Sequence, residues 1–372
     1  MNAAQRHVTI MAGGTGGHIM PGLAVAEQLR ARRQRVSWLG SNNSMEQHLV
    51  PQRGYEFHAL AMRGLRGSGW QRKLIMPWLL SRAVLQAITI LRRLRPDCVL
   101  SMGGFAAAPG GIAAWLLRVP LVVHEQNRIP GLTNRLLARL AGRVCQGFAD
   151  SFPVRLQALT TGNPLRTDIE RLALQEGALQ ARQADAVVQP VVQLLVLGGS
   201  QGANALNRQL PATLAAAAAA VDAQIVLWHQ CGERWQQVAA TAYAAHSEAF
   251  SELHIVTFID DMASAYQRAD LVIARAGAMT VSELAAAGRA SVLVPYPHAV
   301  DDHQSANASV LVDAGGAELL PQAALADDAA RAQLQRLFSD RQSLRQMARV
   351  AATVHIKDAA GRVADVCQEQ CR

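Results

Sequence analysis

The stretch His7-Val-Thr-Ile-Met-Ala-Gly-Gly-Thr-Gly-Gly-His18 decides the fold. A short, β-branched apolar run ends in a turn built almost wholly of glycine, and Leu23 to Arg33 then carries helical spacing. Strand, glycine turn and helix in that order open a parallel βαβ unit. Working outward, Arg35-Val-Ser-Trp-Leu39 reads as the next strand. Cys98-Val-Leu-Ser101 runs towards Gly103-Gly104, and Pro120-Leu-Val-Val123 towards His124-Glu-Gln-Asn127. The pattern restarts at Val191-Val-Gln-Leu-Leu-Val-Leu197, which leads into Gly198-Gly-Ser-Gln-Gly202. The strands Gln224–Trp228, Leu253–Thr257, Asp270–Ala274 and Ala290–Val294 follow it.

Two such openings imply an α/β chain of two doubly wound domains. The boundary is placed after Gly162-Asn-Pro-Leu-Arg166, near the polar stretch Gln175 to Gln189, giving domains 1–166 and 167–344. The end of the chain, from about Ser343, reads as helical, and periodicity does not fix where it packs. Doubly wound sheets bind ligands at the carboxyl ends of their strands. Two facing domains therefore predict a cleft with a glycine loop on each wall, a geometry for joining two substrates.

Composition narrows the class. Half of the 372 residues are apolar and 17% are charged, which excludes wholesale disorder. Five cysteines without a C-x-x-C pair argue against a disulfide-stapled secreted domain or a structural zinc site, and for a reducing compartment. Residues 1–166 hold 21 Lys/Arg against 6 Asp/Glu, whereas residues 167–372 hold 15 against 22. That split fits a basic first domain facing an anionic partner, or simply an arginine-rich composition. No signal peptide is expected. The uncharged stretch Cys98 to Leu117 is long enough for a bilayer but is broken by four glycines and Pro109, so it reads as strand, loop and helix start.

Glycine loops at helix N-termini offer backbone N–H groups to phosphate or another anion, or they are merely tight turns. No G-x-x-x-x-G-K-[ST] occurs, which removes a P-loop nucleotide hydrolase. A nicotinamide enzyme is disfavoured, because Trp38-Leu-Gly-Ser41 lacks the acidic residue that would hold a dinucleotide ribose. Thr280-x-x-Glu283 is either a helix capping box or a carboxylate for a ribose diol. His18 is a candidate base for a substrate hydroxyl, and His124 with Glu125 a second base or an acceptor-binding pair. His298, Asp301, Asp302 and His303 lack clear ligand spacing, so no metal site is expected, and no D-x-D clamp exists. Residues 72–95, with Trp78 among aliphatics and arginines at both ends, read as an amphipathic core helix or as one lying on an anionic bilayer. No motif supports nucleic-acid binding.

The ordered set of motifs resembles the MurG family, bacterial transferases that add N-acetylglucosamine to lipid I. The matching segments are Met11–Gly22, Met102–Phe105, His124–Asn127 with Gly131–Asn134, Gly162–Arg166, Gly198–Ala203, Phe258–Met262, Arg275–Glu283 and Asp301–Gln304, spread nearly end to end. The resemblance implies a GT-B fold with the acceptor in the first domain, UDP-GlcNAc mainly in the second, and the final helix, about 345–372, crossing back onto the first. It implies donor contacts at Thr15, Gly16, Gly17, Asn127, Arg166, Ser200, Ile259, Ala278, Met279, Thr280, Val281, Ser282, Glu283 and Gln304. Ile259 would meet uracil through its backbone, Glu283 the ribose and Gln304 the sugar. Acceptor contacts would fall at Gly13, Gly14, Gly103, Gly104, Phe105, His124 and Asn134. Phe105 stands where other members can carry Tyr, so any role for a hydroxyl there is lost.

The expected reaction is inverting transfer to the 4-hydroxyl of MurNAc in lipid I, with His18 as first choice of base and no cofactor. Domain closure is expected to exclude water from the donor. The expected location is the cytoplasmic face of the inner membrane, peripherally bound, with possible protein partners in wall synthesis. The rival readings are a UDP-GlcNAc 2-epimerase-like isomerase, a transferase with another lipid or sterol acceptor, and a non-catalytic nucleotide-sugar-binding subunit.

Overall fold

The computed structural model describes residues 5–14, 16–61, 70–174, 191–199 and 202–371, of which 70–77 by backbone only. Thr15, Ser200 and the polar stretch 175–189 lie outside these residues. The chain divides into two compact units, Met1–Arg166 with Asp358–Arg372, and Thr167–Lys357.

The first unit runs β1 (His7–Ala12), α1 (Gly16–Ala31), β2 (Arg35–Ser41), α2 (Met45–Gln52), β3 (Glu56–Leu60), α3 (Trp70–Leu94), β4 (Cys98–Gly103) and α4 (Ala107–Leu116). It continues through β5 (Leu121–Glu125), α5 (Leu132–Leu137), β6 (Arg143–Gln146) and β7 (Leu159–Thr160). Its seven strands lie in the order β3-β2-β1-β4-β5-β6-β7, all parallel. The central strands are buried along their whole length, as the unbroken apolar runs require of a sheet covered on both faces. The order reverses between β1 and β4, so the glycine turns that follow these two strands stand side by side at the topological switch point. A register shift between Met11 and Ala12 sets Gly103 opposite Ala12 and advances the end of β4 towards that turn.

The second unit holds α6 (Thr167–Glu170), β8 (Val191–Leu197), α7 (Asn204–Ala218), β9 (Gln224–Gln230), α8 (Gln236–Ala244), β10 (Glu252–Val256) and α9 (Met262–Arg268). It continues with β11 (Leu271–Ala274), α10 (Ala278–Ala287), β12 (Ala290–Leu293), α11 (His303–Val312), β13 (Ala317–Leu319), α12 (Asp328–Ser339) and α13 (Arg341–Val354). Six parallel strands in the order β10-β9-β8-β11-β12-β13 repeat the same plan, with the reversal at β8/β11. Val192, Leu194 and Val196 of β8 share a core with Leu206, Leu210 and Leu214 of α7 and Leu334, Leu337 and Phe338 of α12.

The C-terminal stretch corrects an expectation. It is two helices, and only the second, α14 (Ala359–Gln370), belongs to the first unit. α13 packs on α10 and β12, burying Leu344, Met347 and Ala351. The helix ends at extended His355, and left-handed Asp358 restarts it by capping the Gly361 N–H at 3.2 Å. Val363, Ala364, Val366 and Cys367 of α14 then join Val8, Ile10, Leu23 and Leu100 in the first unit's core.

Candidate active site

In the first unit the predicted residues gather at the carboxyl edge of the sheet. Gly103 and Gly104 both hold positive φ, and a side chain on Gly104 would collide with the Gly13 carbonyl, so the two glycine turns touch backbone to backbone. A Cβ built on Gly103 would lie 3.1 Å from His18 Cδ2 and 3.2 Å from both His18 Nε2 and Asn134 Nδ2. Glycine at 103 therefore makes room for an imidazole from α1 and an amide from α5. His18 and Phe105 are half-buried at this edge, and Gly14 and Gly17 are exposed. Arg166, also half-buried, is the last residue of the unit before the chain crosses.

His124 and Glu125 differ from the expectation of a second base. His124 is fully buried, and its Nε2–H donates to the Gly162 carbonyl at 2.9 Å, which fixes the tautomer and leaves Nδ1 to accept from the Gln126 amide at 3.2 Å. Burial pulls its pKa down to about 4, with the Gly162 bond opposing. The Glu125 carboxylate, also buried, accepts from the Asn127 N–H at 2.9 Å and its side-chain amide at 3.0 Å. It further accepts from the Gly131 N–H at 3.0 Å and Asn134 Nδ2 at 2.9 Å. Asn134 Nδ2 also reaches the His124 carbonyl at 3.1 Å. This carboxylate organises Asn127 and Asn134 and is not exposed to take a proton from substrate.

One buried group went unforeseen. Glu46 of α2 has no exposure, and its carboxylate accepts from the Ser41 N–H at 3.1 Å, the Ser41 hydroxyl at 3.2 Å and the Gly14 N–H at 3.3 Å. It thus claims one N–H of the first glycine loop from within the protein. Nothing in a charged residue of a short helix announces this burial; a Glu five residues after the end of β2 was the only signal.

In the second unit the carboxyl edge is built alike. Gln230, at the end of β9, donates through Nε2 to Gly199 O at 3.0 Å and Thr257 O at 3.2 Å, tying the second glycine loop to the segment that holds Ile259. Gly202, at φ +71°, packs so closely on the Cys231 carbonyl that no side chain fits. Ile259 is half-buried beside exposed Phe258. α10 starts at Ala278 with Gly277 as its N-cap, so Thr280 lies inside the first turn and the Thr280–Glu283 capping box is not formed. Glu283 instead accepts from the buried Tyr266 hydroxyl at 3.0 Å.

Val281 and Ser282 are buried, and Met279, Thr280 and Glu283 are half-buried. Gln304, the second residue of α11, accepts from the Tyr296 N–H at 2.9 Å. Arg275 braces the same loop, donating to Val294 O at 3.1 Å, Pro295 O at 3.2 Å and Gln322 Oε1 at 2.5 Å. Of the expected donor contacts, Gly16, Gly17, Asn127 and Arg166 thus lie in the first unit. Ile259, Ala278 to Glu283 and Gln304 lie in the second.

Comparisons with known proteins cover both units. Residues 8–146 match the glycosyltransferase family 28 N-terminal domain, and residues 193–363 its C-terminal domain. A UDP-N-acetylglucosamine–N-acetylmuramyl-(pentapeptide) pyrophosphoryl-undecaprenol N-acetylglucosamine transferase of Nitrosococcus oceani is 49% identical over 362 residues, 97% of this chain and 98% of its own. The protein of that name from Aeromonas hydrophila is 47% identical over 359 residues, 96% and 95% of the two chains. The crystal structure of Acinetobacter baumannii MurG superposes with a TM-score of 0.80 at 37% identity, covering 98% of this chain and 99% of that one.

Proposed function

The chain belongs to the MurG family of glycosyltransferases, and we infer that it transfers N-acetylglucosamine from UDP-N-acetylglucosamine to lipid I, forming lipid II in peptidoglycan synthesis. The observation that carries the reading of mechanism is the convergence of His18 and Asn134 on Gly103 at the switch point of the first sheet.

In this reading Asn134, held by Glu125, orients the acceptor. The His18 imidazole takes the proton of the MurNAc 4-hydroxyl as its oxygen attacks C1 of the donor sugar. The bond from C1 to the UDP oxygen breaks in the same displacement, so an α-linked donor gives a β-1,4 product. The negative charge that develops on the leaving diphosphate is met by Arg166 and by helix N-terminal N–H groups. Ile259 reads uracil, Glu283 the ribose and Gln304 the sugar. His124 and Glu125 are positioning groups: the first is held neutral by burial and the second is saturated by four donors.

No helix among the described residues is long and apolar enough to cross a membrane. The surface that meets the lipid acceptor is assigned to α3, α4 and α5, which pack one on the next. Trp78, Leu85, Trp115, Leu116, Leu132 and Leu136 on these helices are more than half exposed, among exposed Arg82, Arg118, Arg135 and Arg139. Apolar side chains ringed by arginine suit an anionic bilayer surface. That extends the surface expected at 72–95 onto two further helices.

The test is turnover of a short-chain lipid I analogue by His18→Ala. The reading expects a loss of about 10²–10⁴-fold in kcat at unchanged donor affinity. A loss of only a few-fold removes His18 as the base.

A further inference from the structure

Tyr266 has no exposed surface, yet its hydroxyl is aimed at the one carboxylate of α10, donating to Glu283 Oε2 at 3.0 Å. A buried phenol needs an acceptor. Here the acceptor is the side chain read as the partner of the donor's ribose, on the half-buried face of a different helix. The helix that carries Tyr266 is itself tied to the base-reading segment. α9 begins directly after Ile259-Asp260-Asp261, and Asp261 caps it by accepting from the Ser264 N–H at 2.9 Å. α9 packs on α10, so the residues assigned to uracil and to ribose are joined through one short helix.

A glutamate on a helix surface has three side-chain torsions to restrict before a diol can bind it. A hydrogen bond from a buried, immobile phenol sets the plane of the carboxylate beforehand. We propose that Tyr266 is a positioning residue that sets the ribose selectivity of the donor site by fixing the Glu283 carboxylate. This rests on the assignment of Glu283 to the ribose. Selectivity arises because a site built to bond hydroxyls leaves polar groups unpaired when one is missing, and that penalty is largest where the site cannot relax.

The experiment compares UDP-GlcNAc with its 2′-deoxy and 3′-deoxy uridine counterparts, at a fixed concentration of a short-chain lipid I analogue. The enzymes are wild type, Tyr266→Phe and Glu283→Ala. Tyr266→Phe keeps the ring and its packing, so a merely structural tyrosine leaves the preference for ribose untouched. The proposal expects Tyr266→Phe to raise donor KM about tenfold, the order of one charge-assisted hydrogen bond, with kcat within about twofold. It also expects the ribo-to-deoxy ratio of kcat/KM to narrow by about fivefold or more. Should Tyr266→Phe fail to accumulate as folded protein, Tyr266→Met, which also lacks the donor, must show the same narrowing.

An unchanged ratio in the Tyr266 variant, with the ratio collapsed in Glu283→Ala, overturns the proposal and leaves the ribose assignment standing. An unchanged ratio in Glu283→Ala overturns the assignment, and the proposal with it.

Discussion

The Glu46 carboxylate stands where a side chain on Gly13 would have to go: a Cβ built there collides with Oε1 and lies 3.1 Å from the carboxyl carbon. Gly13 was expected as a contact for the acceptor, and the fold gives it a prior task. It makes room for a buried anion that accepts from Ser41 and Gly14. Gly13→Ala forces Glu46 out of those bonds and should destabilise the protein by about 1–3 kcal/mol. In Gly13→Ala/Glu46→Ala the collision is gone, so the double variant should lose clearly less than the sum of the two single losses in denaturant unfolding. Additive losses would show that the two residues do not share this space.

Each unit carries one fully buried histidine that burial holds neutral, and the pair should make stability fall with acid. Burial pulls His124 to about 4 and His229 to about 3. Both lie below the unfolded value near 6.5, so between these limits the unfolded chain holds the extra proton. The stability contributed by neutral burial is complete above pH 6.5 and is lost as pH falls towards 4. From pH 7.5 to 5 each histidine should cost roughly 2 kcal/mol. His124→Gln, which can still donate to Gly162 O, should flatten the pH dependence of unfolding. A slope identical to wild type would place the titration elsewhere.

The fold was legible wherever a β-branched run ended in glycines, because burial on both faces and a tight strand-to-helix turn each leave a mark in sequence. β1, β4, β8 and β11 were all readable in this way. What escaped were contacts that join distant segments. Glu46 and Gly14 are separated by 32 residues, and Tyr266 and Glu283 by 17. His124 and Glu125 looked like acid–base chemistry because a titratable pair at a strand end does not reveal that both side chains point into the protein. The break at His355–Asp358 was missed because helical residues flank it, and its cause is one left-handed aspartate.

Glu125 accepts four hydrogen bonds, and replacing it by an amide puts donors against donors. Glu125→Gln should lower kcat/KM for the acceptor by about tenfold or more, by releasing Asn127 and Asn134. On the proposal that His18 is the base, kcat at saturating soluble acceptor should fall far less than in His18→Ala. A kcat loss in Glu125→Gln as large as that of His18→Ala would instead make Glu125 the base.

On the proposed reading, lipid contact through α3, α4 and α5 should separate from catalysis. Trp78→Glu and Leu132→Glu each replace an exposed apolar side chain, 59% and 65% accessible, with a charge of the wrong sign for an anionic surface. Sedimentation with vesicles containing phosphatidylglycerol should weaken by more than about tenfold for each, the worth of one buried large apolar side chain. Turnover of a short-chain soluble acceptor should stay near wild type. Vesicle binding indifferent to both changes would move the membrane surface off these helices.

The most direct measurement incubates labelled UDP-GlcNAc with the protein, with and without a short-chain lipid I analogue, and resolves the products by anomeric configuration. Transfer to lipid I should give β-1,4-linked GlcNAc on the acceptor with stoichiometric UDP, and intact donor when the acceptor is withheld. Epimerised UDP-sugar in the absence of acceptor, or an α-linked product in its presence, would contradict it.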